Sequence, residues 1–263
     1  MSKFYIAVWT VMQLCLPISN PCLNRGLVDD VVINKIYTSK LLFNEDFEGN
    51  SVFKGAKLQS STSYGFKVVA DPVYEGEKSG RFELRDTDLE ASNGTRVEFL
   101  FPKSTLVKEG WYAFDGFFPA SHYEKDSNMD HINQWHQGKG SGSPALQLLT
   151  EDDQFKMLIG GGSQKHKRYV LGNVQKDVWQ QFVIHVIHSP NEDGLVEVWL
   201  NGERVLKYSG PTMYAEFAYP RWKIGIYKDD WNGNKTTDTK ERIFYVDNVK
   251  LGSKAASLND MRE

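Results

Sequence analysis

The sequence predicts an all-β protein, a two-sheet antiparallel β-sandwich of the jelly-roll, concanavalin-like type. Three observations predict it. Short apolar runs alternate with period two from Leu41 to about Gly252. Clusters of Gly, Pro, Asn and Asp separate the runs. Long helical periodicity is absent. With 263 residues, the chain fits one such domain and can bury a sizeable core.

The strands follow in order. Arg81–Arg85 puts Phe82 and Leu84 on one face. Thr95–Phe99 sets Val97 and Phe99 against Arg96 and Glu98. A long alternating run from Trp179 to His188 ends in the turn cluster Ser189-Pro-Asn-Glu-Asp-Gly194. Leu195–Leu200 and Glu203–Leu206 flank Asn201-Gly202, a hairpin turn whose residues accept positive φ. Tyr219–Tyr227 and Glu241–Leu251 are the late strands. Gly160-Gly161-Gly162 reads as a loop or bulge, since no strand-then-helix context makes it a phosphate cradle. Trp111, Trp179 and Trp199 are expected in the core, His185 and His188 in structural or surface places. The domain is expected over residues 41–253, with a polar, frayed tail over 254–263.

Lys3 followed by apolar Phe4–Leu16 predicts a signal peptide over residues 1–22, then a linker over 23–40. The other reading of this stretch is an N-terminal strand. A signal implies a secreted or periplasmic protein. Cys15 and Cys22 both fall in that segment, so the body has no disulfide framework. No apolar run reaches the length of a membrane span, so no membrane partner is expected. A net charge of −3 argues against nucleic acid as the main partner, though not against a local basic cleft. A monomer is expected. Asn93-Gly-Thr95 and Asn234-Lys-Thr236 match the glycosylation pattern, which matters only in a eukaryotic secretory pathway.

Three segments aim polar residues at one face: Arg96-Val-Glu98, Gln134-Trp-His136 and Lys223-Ile-Gly-Ile-Tyr227. In the third, Trp222, Ile224 and Ile226 share the core face, while Lys223, Gly225 and Tyr227 share the other. Gly225 between two large polar side chains leaves room for something lying across the strand. An open face of Arg, Gln, His, Lys and Tyr suits an anionic polymer.

This order, R-x-E, Q-x-H, K-x-G-x-Y, resembles the jelly-roll polysaccharide lyases, nearest to the glucuronan lyase and heparin-lyase-I-like group. Glu77–Glu83, Gly110-Trp111, Trp179, Gly194–Gly202 and Tyr245–Val249 fit the same pattern, so the resemblance covers roughly residues 41–252. It implies β-elimination on a uronic-acid polysaccharide, glucuronan favoured, with no cofactor required. Arg96, Gln134 and Lys223 would neutralise the uronate carboxylate, which makes the C5 proton acidic. His136 and Tyr227 would form the acid–base pair, in either assignment. Alginate lyases of this architecture usually have another residue between Gln and His and a Gln after the Tyr. Here Trp135 and Lys228-Asp229 stand in those places. Heparin lyase I carries an inserted extension that this chain lacks room for. An alginate- or heparin-specific lyase therefore stays an alternative. So does a non-catalytic lectin on the same fold. A jelly-roll glycoside hydrolase would show E-x-D-x-x-E on one strand, and the chain has no such run.

Further residues have weaker expectations. Glu98 pairs with and orients Arg96. His131, close to the Q-x-H segment, either supports it or is simply solvated. Trp231, in a polar stretch, is a sugar-stacking candidate. Lys165 and Arg168, in the basic run Lys165-His-Lys-Arg168, are either solvated or part of a substrate subsite. Glu48 and Asp247 would approach each other if the terminal strands pair, so a structural calcium is possible there.

Overall fold

The structure is a computed structural model that describes residues 39–162 and 164–262. The expected signal peptide, nearly all of the expected linker and both cysteines lie outside the described residues. Two antiparallel sheets form a sandwich, as the period-two runs predict. The first sheet holds β1 (Leu41–Glu45), β3 (Phe66–Val69), β4 (Ser79–Arg85), β6 (Glu109–Phe117), β11 (Trp179–Ile187), β12 (Leu195–Leu200), β13 (Glu203–Ser209) and β15 (Glu241–Ser253). Its lateral order is β13-β12-β11-β6-β15-β4-β3, with β1 also on β15. The second sheet holds β2 (Lys57–Gln59), β5 (Arg96–Leu100), β7 (Asp130–His136), β8 (Leu146–Glu151), β9 (Gln154–Gly161), β10 (Gln164–Asn173) and β14 (Arg221–Tyr227). Its lateral order is β10-β9-β8-β7-β14-β5-β2. The Asn201-Gly202 turn joins β12 and β13, with positive φ at both residues.

Aromatic rings fill the space between the sheets. Phe53 stacks on Phe99 with centroids 4.0 Å apart, and Phe82 stacks on Phe244 at 5.3 Å. Each ring removed from water contributes about 1.5–3 kcal/mol. Trp222, Ile224 and Ile226 face this core, as alternation predicts. The opposite face of the second sheet's central strands is buried too. Arg96, Glu98, Gln134 and Lys223 are all under 9% exposed. That face is the floor of a cleft.

Two expectations need correction. Trp111 and Trp199 do not enter the sandwich core. They sit half-buried on the outer face of the first sheet, packed with Ala113, Val183, Ala256 and Met261. Trp179 is likewise half-buried, against Tyr74 and Phe117. The tail is not frayed: α1 (Leu258–Arg262) closes over that outer patch and buries Met261. Ser257 caps it, with Asp260 accepting from both its backbone N–H and its hydroxyl. Lys40 ties Asp260 to the start of β1 at 2.6 Å. Apolar surface on the outer face of a sheet needs a cover, and this short helix supplies it.

Four buried charges lock the end of β14 to β7. Lys228 reaches Asp130 at 2.8 Å and Asp126 at 3.1 Å. Arg242, from β15, reaches Asp130 at 2.7 Å. Asp126 also accepts from Thr237 and Thr239. Lys228 follows Tyr227 directly, so this network fixes where the tyrosine stands.

His188 is fully buried, and burial pushes its pKa down to about 3. Its ring Nε2 lies 3.3 Å from the Tyr112 hydroxyl. The unfolded chain takes up a proton on this histidine below about pH 6.5, and the folded chain does not. Stability is therefore lost as pH falls from 6.5 toward 3. We expect about 3 kcal/mol of this loss between pH 7 and pH 4, from the shift at 1.36 kcal/mol per unit. Urea unfolding of His188→Gln should have a correspondingly shallower pH slope. Equal slopes for the two proteins would contradict this.

Candidate active site

Strand register builds the site. Tyr227 pairs with Arg96 of β5 on one side and with His131 of β7 on the other. Lys223 pairs with Leu100 and Gln134, and Gln134 pairs with Gln147 of β8. Cross-strand partners share a face. The polar residues of three separate segments therefore line one cleft of about 940 Å³. Arg96, Gln134, His136, Lys223 and Tyr227 all line it.

Glu98 lies beneath them with no exposure. Arg96 Nη1 donates to its Oε2 at 2.8 Å and Lys223 Nζ donates to the same oxygen at 2.9 Å. Gln134 Nε2 donates to Oε1 at 2.5 Å. Burial alone would raise the Glu98 pKa, but Lys223 and Arg96 together outweigh it and keep the carboxylate ionised. Burial also depresses the Lys223 pKa, against the attraction of Glu98. The sequence expectation of an Arg96–Glu98 pair understates this residue, which holds three of the cleft's polar side chains at once.

Tyr227 is clamped. The Arg96 guanidinium lies 4.0 Å from its ring centroid. On the other flank the His131 ring stacks at 5.5 Å. Asn232 Nδ2 donates to its hydroxyl at 3.2 Å. Burial raises the Tyr227 pKa above 10, and Asn232 and Arg96 pull against that rise. His136 accepts the Gly138 N–H at Nδ1 at 2.8 Å. A neutral His136 therefore carries its proton on Nε2 and is a hydrogen-bond donor. Burial, then the charge of Lys223, lowers its pKa below the ordinary histidine value.

His131 enters the cleft through a β-bulge. Strict alternation from Gln134 and His136 would put residue 131 on the core face with Asn133 and Trp135. The β7–β8 register shifts between His131 and Asn133, Ile132 is fully buried, and His131 turns to the cleft. There its Nε2 lies 3.3 Å from Asp229 Oδ1. Arg221 was also missed, although its place two residues before Lys223 already assigns it to the cleft face. It lines the cleft beside its strand partner His136.

Other expected site residues go elsewhere. Trp231 is 1% exposed, and its indole donates to Thr237 at 2.9 Å, so it cannot stack on a sugar. Arg168 shares the cleft face through its partner Leu158, but Glu151 engages it at 2.7 Å and it does not line the cleft. Lys165 is exposed and also stands away from the cleft. Glu48 Oε1 accepts the N–H groups of Glu77 and Lys78, and Asp247 accepts those of Tyr74, Glu75 and Asn248. These carboxylates pin the loop before β4. Among the described residues, no group of three His, Cys, Asp or Glu is placed to hold a metal. Gly225 has another reason as well. At φ +143, a Cβ there would stand 2.1 Å from the Val97 carbonyl oxygen, so β5 itself excludes a side chain.

A family model described as polysaccharide lyase matches residues 44–250. No curated protein sequence matches the chain. Among solved structures, an endo-β-1,4-glucuronan lyase from the fungus Trichoderma reesei is similar at TM-score 0.68 and 16% identity, over 81% of this chain and 96% of that one. The family 7 alginate lyase A1-II' is similar at TM-score 0.56 and 13% identity, over 76% of this chain and 95% of that one. The binding domain of Paraclostridial mosquitocidal protein 1 reaches TM-score 0.56 at 12% identity, over 84% of this chain and 51% of that one. At these identities the structural likeness carries the fold alone.

Two variants test the built site. Glu98→Gln leaves Arg96 and Lys223 without their buried counter-charge, and we expect a loss of about 3–5 kcal/mol in urea unfolding. An unchanged midpoint would mean that the cations do not depend on Glu98. Gly225→Ala forces β14 away from β5 and should cost about 3 kcal/mol or more. Its cleft geometry should move as well, read as altered chemical shifts at Tyr227.

Proposed function

Because this chain belongs to the polysaccharide lyase family, we propose that it cleaves a 4-linked glucuronate polymer, of which glucuronan is the simplest, by β-elimination. The observation that carries this reading is the shared Glu98 hub, which holds Arg96, Gln134 and Lys223 around the cleft beside Tyr227. Their donors and net positive charge suit a uronate carboxylate, whose neutralisation makes the C5 proton removable. The likeness to a glucuronan lyase supports this substrate class. The reading carries with it a secreted or periplasmic enzyme that works as a monomer and needs no cofactor.

The tautomer of His136 supports one division of labour. Its Nδ1 accepts the Gly138 N–H, so its Nε2–H is offered as a donor to the substrate carboxylate alongside Gln134. Tyr227 then moves the proton. In 4-linked β-glucuronate, C5–H and the C4–O4 bond lie on the same side of the ring, so one group can serve both atoms. The Tyr227 phenolate takes the C5 proton, the electron pair forms the C4–C5 double bond, and the C4–O4 bond breaks. The departing O4 takes the proton back from Tyr227. Arg96 on the ring face favours the phenolate.

Absorbance of the unsaturated product in the low ultraviolet tests this on glucuronan, alginate, heparin, hyaluronan and pectate. We expect a rise with glucuronan, reduced at least about 10²–10⁴-fold in Tyr227→Phe. His136→Gln keeps an N–H donor and should lose less than His136→Ala. Because the Tyr227 pKa is raised, kcat/KM should climb with pH toward values above 10. A plateau reached below pH 6.5, with His136→Gln as inactive as His136→Ala, would instead make the imidazole the base. New reducing ends without absorbance would sink elimination altogether.

A further inference from the structure

Arg96 and Lys223 are both committed to Glu98. Arg221 is not. It lies on the same face of β14, two residues before Lys223, about 6.6–6.8 Å along the strand. Its Cα partner across the sheet is His136. Its Nε donates to the Phe101 carbonyl at 2.6 Å, which fixes the side chain. Among the described residues, no carboxylate pairs with it, and neither terminal nitrogen has a protein partner. Burial pulls its pKa down with no counter-charge to offset it, yet a guanidinium stays charged. Lys139, on the adjoining glycine-rich loop, adds a second positive charge to this end of the cleft. The Tyr227 end instead carries Asp229, held by His131. The cleft is therefore polarised, with its unpaired positive charge at the His136 end.

A half-buried, pre-oriented guanidinium with a free fork is matched by a carboxylate. We propose that Arg221 binds the carboxylate of a second uronate, in the subsite adjoining the cleaved residue on the His136 side. The enzyme then reads contiguous uronates and discriminates against polymers that alternate a uronate with a neutral or amino sugar. This rests on the reading of the cleft as a polyuronate site.

The test uses the full chain with Tyr227→Phe as the uncleaving parent, titrated with oligoglucuronate and with hyaluronan oligosaccharide by calorimetry. Adding R221Q should weaken oligoglucuronate binding about ten- to a hundredfold, the loss of one charge-assisted contact. Hyaluronan binding should change little. R221K, which cannot bind bidentately, should recover only part, and it replaces R221Q if thermal unfolding shows that R221Q does not fold. In the active enzyme R221Q should raise KM with a far smaller effect on kcat. Unchanged oligoglucuronate affinity, or an equal loss on both polymers, would overturn the proposal, as would a fall in kcat at constant KM. If the wild type releases no unsaturated product but R221Q still loses oligoglucuronate binding, the elimination reading fails and the subsite stands. If product forms equally in both proteins at low substrate, the subsite fails and elimination stands.

Discussion

The cleft depends on one buried carboxylate. Glu98 takes no part of the solvent-exposed surface, yet two cations and an amide converge on it. Burying an ion costs several kcal/mol unless its partners are well placed. Here they are placed by strand register, because β5, β7 and β14 are neighbours in one sheet. The same contacts hold Arg96, Gln134 and Lys223 in position before any ligand arrives, so the site is pre-organised. One negative and two positive charges leave the cluster with a net positive field under the cleft.

Tyr227 receives a second layer of constraint. Arg96 and His131 flank its ring from the two neighbouring strands, and Asn232 holds its hydroxyl. Behind it, Lys228 is fully buried between Asp126 and Asp130, with Arg242 completing the network. Buried charges of this kind are tolerated only when paired, and removing one partner would leave another uncompensated. The bulge at Ile132 belongs to the same device. It turns His131 into the cleft while leaving Asp130 to meet Lys228.

The rest of the sandwich is a frame on which other sites are built. An alginate lyase and the binding domain of a mosquitocidal protein both share it at similar TM-scores. The frame therefore says little about chemistry, and the charge constellation on the second sheet's open face says most. The outer face of the first sheet has a different task. Its half-buried tryptophans are sealed by the short C-terminal helix, and the Glu48 and Asp247 carboxylates tie down the adjacent loop.

The sequence by itself determined the fold class and the main membership of the cleft. Period-two alternation is a local property, so Val97 and Phe99 against Arg96 and Glu98, or Trp222 and Ile224 against Lys223, were legible without coordinates. So was the Asn201-Gly202 hairpin, because positive φ is a requirement of two residues alone. The tertiary structure decided what alternation cannot encode. A bulge reverses parity, so His131 moved to the cleft. Depth decided Trp231, which its polar neighbours place at the surface and packing places in the core. Competition for partners decided Arg168, whose charge was visible but which Glu151 already engages. The reason for Gly225 lay in the close approach of β5, a neighbour far away in sequence. Residue identity and spacing act along the chain, whereas burial, register and pairing are properties of strands brought together from distant parts of it.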